Sequence, residues 1–104
     1  MTEIVLIMTT VATPDEAERI AHALVEERLA ACVNVHSAMI STYRWKDGIE
    51  VEPERQIVIK TTRARLPALE ARLKTLHPYE LPEWIVLGAE ASAAYGQWVI
   101  EMSG

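Results

Sequence analysis

Cysteine occurs once in this sequence, as Cys32, so no intrachain disulfide can form and a reducing, cytoplasmic setting is expected. Basic residues are also few: ten lysines and arginines face fifteen acids, giving a formal charge of −5 and a pI near 5.1. They are scattered rather than gathered into a stripe, which argues against a nucleic-acid partner. Long apolar runs are missing. Ile4 to Met8 is too short for a signal-peptide core or a membrane span, and no basic leader precedes it, so no membrane association is expected. Glycine is sparse, with four residues and no two closely spaced, so a backbone cradle for nucleotide phosphates is not encoded. No Gly-x-Ser-x-Gly elbow is present, and neither Cys-x-x-Cys nor His-x-x-x-His occurs, which removes the signatures of a serine hydrolase and of a structural zinc site.

What is present has an ordinary globular balance, 50% hydrophobic and 24% charged, and 104 residues suit one domain, 1–104, with a single core. Ile4 to Met8 has the pattern of a covered strand. Pro14, Asp15 and Glu16 then open a helix whose stripe is Ala17, Ile20, Ala21, Leu24, Val25 and Leu29, with acids suited to the first-turn dipole. A second helix is expected over Arg65 to Leu76, with Pro67 tolerated in its first turn. A buried strand follows from Trp84 to Ala89. Ser92 can cap a last short helix facing Tyr95, Trp98, Val99 and Met102 inward. The order strand, helix, strand, strand, helix, strand, helix points to an α+β sandwich of the ferredoxin-like type with an extra C-terminal helix.

Between the first two helices the apolar period is two. Val33, Val35, Met39, Tyr43 and Trp45 occupy odd positions, and so do Ile49, Val51, Ile57 and Ile59. Pairing odd with odd predicts a hairpin with a three-residue loop, Lys46 to Gly48, and a left-handed Gly48. Strands of thirteen residues would span about 43 Å, against a radius of gyration of only about 13 Å for a domain of this size. A protruding arm with Tyr43, Trp45, Ile49 and Val51 at its tip is therefore expected to be covered by other copies of the chain. The alternative is a pair of shorter strands bent near Ser37 and Pro53.

The densest polar chemistry lies in His77-Pro78-Tyr79-Glu80-Leu81-Pro82-Glu83, where two prolines stiffen the backbone and push His77 and Leu81 toward extended conformations. Such a loop can hold a ligand or simply join a helix to a strand. Metal candidates are His77 and, less favoured, Cys32. His77 can equally spend its ring nitrogens on carbonyls at the helix end. Cys32 and His36 share a strand face but lie about 13 Å apart, and His22 belongs to a solvated helix face beside Glu18 and Glu26. Glu54, Lys60 and His77 are an acid–base set that nothing local ties together. No tightly bound cofactor is expected; copper or another divalent metal is the candidate ligand.

Ala17-Glu18-Arg19-Ile20-Ala21, Leu24 through Asn34, Ser41-Thr42-Tyr43-Arg44-Trp45, Glu54, Ile59-Lys60-Thr61, the His77–Glu83 loop, and Tyr95 with Trp98 together resemble the CutA family, the divalent-cation tolerance proteins. The resemblance covers nearly the whole chain. It implies a ferredoxin-like subunit in a homotrimer built around the long hairpin, and a non-enzymatic role in tolerance to copper and other divalent metals, with copper binding. Some members of that family carry a cysteine near the end of the first strand; Met8-Thr9-Thr10 stands there in this sequence, leaving His77 as the match to the family's histidine motif. A second reading is a trimeric sensor or adaptor like the PII-type regulators, with a cleft between subunits lined by Lys60, Tyr79, Pro82 and Glu83.

Overall fold

In a computed structural model describing all 104 residues, the chain runs β1 (Thr2–Val11), α1 (Pro14–Glu26), β2 (Cys32–Trp45), β3 (Gly48–Thr61), a short 3-10 turn (Arg63–Arg65), α2 (Leu66–Leu76), β4 (Ile85–Ala91) and α3 (Ala93–Met102). Local chemistry sets most of these boundaries. The Thr13 hydroxyl accepts the Glu16 N–H at 3.2 Å, with Pro14 in the first turn of α1. The Ser92 hydroxyl accepts the Tyr95 N–H at the start of α3. Just past α1 and its C-cap Glu27, Arg28 adopts a positive φ of 58°, a conformation costing a non-glycine residue about 1–2 kcal/mol. Its guanidinium offsets that cost by donating to the carbonyls of Gly104 and Glu101, tying the end of α1 to the end of α3.

The four strands form one antiparallel sheet in the order β2-β3-β1-β4. The result is the expected ferredoxin-like α+β sandwich with an added helix. The odd residues of β1 and of the inner half of β3 (Val5, Ile7, Val11, Ile57 and Ile59) pack on Ile20 and Leu24 of α1 and on Leu69 and Leu73 of α2. α3 packs by Val99 on the other face, near Ile4, Leu6 and Ala89. Two expectations fail on that second face. Of Tyr95, Trp98, Val99 and Met102 only Val99 is buried, because α3 covers just one end of the sheet. β4 is therefore not buried on both sides: Ile85 and Leu87 are exposed, while Val86 packs toward the core.

The hairpin β2–β3 does protrude. The molecule measures 45 × 24 × 23 Å, and β1 pairs with β3 only from Arg55 to Thr61, so the hairpin stands alone beyond Arg55. Pro53 sits in that outer part, where its missing N–H interrupts no second ladder. The turn differs from expectation. Trp45 pairs with Gly48 across a two-residue loop, Lys46-Asp47, and Lys46 rather than Gly48 has positive φ, at 54°. The cause lies ten residues away. Val35 pairs with Ile57 but Ala38 pairs with Arg55, so His36 and Ser37 form a bulge opposite Gln56. The extra residue turns the odd positions of β2 to the other face. Near the sheet, Val33 and Val35 lie opposite Ile59 and Ile57; in the arm, Met39, Ser41 and Tyr43 lie opposite Glu54, Glu52 and Glu50. The apolar side chains expected on one face of the tip are thus split between two.

Candidate functional site: a cleft between the arm and the histidine–proline loop

The helix α2 stops at Leu76 because Pro78 excludes helical backbone at the residue before it, and His77 is extended (φ −80°, ψ 131°). That conformation turns the imidazole into the body of the protein, where it is buried. Nε2 lies 2.8 Å from the Thr10 carbonyl, and Nδ1 accepts the Tyr79 N–H at 3.1 Å. Only the neutral ring protonated at Nε2 satisfies both contacts. Burial pushes the His77 pKa below its ordinary value, against the opposing pull of the Thr10 carbonyl, Glu16 and Glu54.

The loop next reaches the arm. The Tyr79 hydroxyl donates to Glu54 Oε2 at 2.7 Å. Desolvation first, then this bond and the charge of Glu54, raise the phenol pKa well above its usual range. Glu54 is only 7% exposed, and no basic side chain forms an ion pair with it. Gln56 completes the attachment: its Nε2 donates to the Thr9 carbonyl at 2.7 Å and to Glu83 Oε2 at 3.0 Å. Three contacts, His77 to β1, Tyr79 to Glu54 and Glu83 to Gln56, hold the loop over the sheet. Between loop and arm lies a cleft of about 740 Å³, a volume that suits a small ligand. Tyr43 and Trp45 wall it from the arm, and Tyr79, Pro82 and Glu83 from the loop.

Residues 5–102 match the family described as CutA1 divalent ion tolerance protein. This chain belongs to the CutA family. The divalent-cation tolerance protein CutA of Thermus thermophilus is 45% identical over 105 residues, with both chains covered in full. Human protein CutA is 43% identical over 96 residues, which cover 89% of this chain and 54% of the human protein. The crystal structure of the divalent ion tolerance protein CutA1 from Ehrlichia chaffeensis superposes with a TM-score of 0.93 at 33% identity, covering 100% of this chain and 98% of that one. These CutA descriptions name tolerance to divalent ions and no reaction.

Within this CutA chain the residues singled out from sequence separate into three places. His77, Tyr79, Pro82 and Glu83 come together at the loop, with Glu54 added from the arm. Lys60 does not join them. It pairs with Leu6 and Cys32 on the sheet, and its ammonium lies 5.7 Å from the centre of the Tyr95 ring. Cys32 is half-buried there, its sulfur 4.0 Å from Asn34 Oδ1. Tyr43 and Trp45 face the cleft, whereas Ile49 and Val51 share the opposite face of the arm with Ile40, at 58, 63 and 68% exposure respectively.

The fit to a metal ion is poor in a single chain. No three histidine, cysteine, aspartate or glutamate side chains converge on one point. Both ring nitrogens of His77 are engaged inside the chain, with the Thr10 carbonyl and the Tyr79 N–H rather than with carbonyls at the end of α2. His22 instead meets Glu26 at 3.0 Å on the exposed face of α1. Sequence reasoning missed Gln56. Its only signal was a polar residue at the head of the run Ile57-Val58-Ile59, and its partners Thr9 and Glu83 are remote in sequence. No helix is long and apolar enough to cross a membrane.

Proposed function

We propose that this protein acts without catalysing a reaction, as a homotrimer in the cytoplasm that contributes to tolerance of copper and other divalent cations. The apolar strip Ile40, Ile49 and Val51 carries this reading. It projects on an arm with nothing of its own chain across from it, and burying such a strip is the ordinary driving force for association. Ile85 and Leu87 on the open sheet face offer a second apolar surface. Other copies of the chain are the partner; no nucleic acid or membrane is involved.

Divalent cations are held weakly, by donors from more than one chain, because one chain does not bring three together. His77 takes part only by surrendering its bond to the Thr10 carbonyl or to the Tyr79 N–H. Light scattering at micromolar concentration should give a mass near three times 11.7 kDa; the mass of one chain would reject the assembly. Titrating Cu(II) into wild type and His77→Ala tests the metal. Identical isotherms would remove His77, and Cys32→Ser should change Cu(II) binding less.

One observation favours a second reading, that of a small-molecule sensor. The cleft keeps Tyr79, Pro82 and Glu83 of the expected wall, loses Lys60, and gains the buried carboxylate of Glu54 at its floor.

A further inference from the structure

The cleft has a definite chemical character. Its carboxylates are Glu54, Glu80 and Glu83, and its single basic lining residue is Arg44. Glu54 is buried yet paired only with a neutral phenol, so its charge is left without a counter-ion in a site of reduced dielectric. Tyr43, Trp45 and Tyr79 supply aromatic faces, the surfaces that attract organic cations. Desolvation first, and then the carboxylates of Glu52, Glu54 and Glu50 along the neighbouring strand, push the Tyr43 pKa above its ordinary value.

Spacing selects the kind of cation. A metal ion needs converging donors, and no three converge here. Glu83 is held by Gln56, and Gln56 lies two residues along β3 from Glu54, about 7 Å of strand, so the two carboxylates line the cleft from separate anchor points. An extended molecule with an ammonium at each end can reach both, laying its carbon chain on Met39 and the aromatic walls. Resting on the reading of this cleft as a ligand site, we propose that it binds a short aliphatic diamine or polyamine, with its ammonium groups on Glu54 and Glu83. The cleft and the strip Ile40, Ile49 and Val51 lie on opposite faces of the arm, so association through the strip need not cover the site.

Calorimetric titration of the full chain with putrescine tests this, with butylamine as the one-ended control and succinate as the control of opposite charge. Putrescine should bind one per chain and more tightly than butylamine. Glu54→Gln should weaken it by about tenfold or more, the worth of one charge-assisted hydrogen bond. Glu90→Gln, on the exposed β4 and away from the cleft, should leave it unchanged, and Arg44→Gln should tighten it. Equal weakening by Glu54→Gln and Glu90→Gln would mean diffuse attraction to an acidic protein and would overturn the proposal. Binding of succinate without putrescine would overturn it while keeping the cleft as a ligand site. Binding of none of the three would overturn it and the sensor reading with it. Light scattering on each variant separates loss of the site from loss of assembly.

Discussion

The two halves of the β2–β3 hairpin have similar sequences and opposite fates. Near the sheet, Val33, Ile57 and Ile59 lie under the helices, and Ile57 and Ile59 are fully buried. In the arm, residues of the same type, Ile40, Ile49 and Val51, are among the most exposed apolar side chains of the molecule. Alternation alone does not distinguish them. The difference is what lies across: α1 and α2 cover the inner half, and nothing in the chain covers the outer. A strand pattern therefore reports that a face must be buried without reporting by what, and the bulge at His36 and Ser37 then decides which arm residues share the uncovered face.

The largest contrast should come from truncating one residue in each half. Ile59→Ala is expected to cost about 2–5 kcal/mol, because it leaves a cavity in a packed core, and the loss should be the same at every protein concentration. Val51→Ala should show its loss through the concentration dependence of urea unfolding, since the arm is stabilised by association. A small, concentration-independent effect at Val51 would end the view of the arm as an assembly surface.

Next in size are two of the three contacts that hold the loop, one to the arm and one to β1. Tyr79→Phe removes the only hydroxyl bound to Glu54 on the arm side and should cost about 1–3 kcal/mol, the penalty for a buried acceptor left unpaired. Denaturation at neutral pH measures it; no loss would mean that water replaces the phenol. Against β1, His77 is buried neutral with its pKa depressed. Below the ordinary value of 6.5 the unfolded chain takes up the proton more readily than the folded one. The stabilisation from His77 is thus fully present above pH 6.5 and is lost as pH falls through the depressed folded pKa. His77→Gln, which can still donate to the Thr10 carbonyl, should remove this component from the stability–pH profile, and an unchanged slope would contradict it.

Smaller effects test the register itself. Deleting Ser37 should leave Tyr43 opposite Glu50 and change stability by less than about 1 kcal/mol, because it removes only the bulged residue. Cross-strand nuclear Overhauser contacts decide this, and a slip of Tyr43 to Ile49 or Val51 would break the account. Lys46→Gly should stabilise by at most about 1 kcal/mol, relieving a positive φ that costs lysine more than glycine. Thermal melts at fixed concentration suffice to see it.

Much of this was legible before any coordinates. The helix start at Pro14, the cap at Ser92, the stripe of α2 and that of α1 apart from the exposed Val25, the stop before Pro78, the solvated His22 and the length of the hairpin all follow from residues within a turn or two of one another. The site was legible in part. His77, Tyr79, Pro82 and Glu83 lie within seven consecutive residues, and proline stiffness marked them as a unit. Glu54 was weighed with Lys60, the wrong partner, and Gln56 carried no local signal.

By itself, then, the sequence determined the elements, their order and the fact that the arm's apolar side chains need cover, because backbone propensity, capping and alternation act over a few residues. Only the tertiary structure decided which face those side chains take, that both nitrogens of His77 are engaged, and that a buried carboxylate closes the cleft. Each of these rests on pairings across tens of residues: His77 with Thr10, Tyr79 with Glu54, and one bulged residue opposite Gln56. Such pairings are settled by the packing of the whole sheet against its helices, which no local pattern encodes.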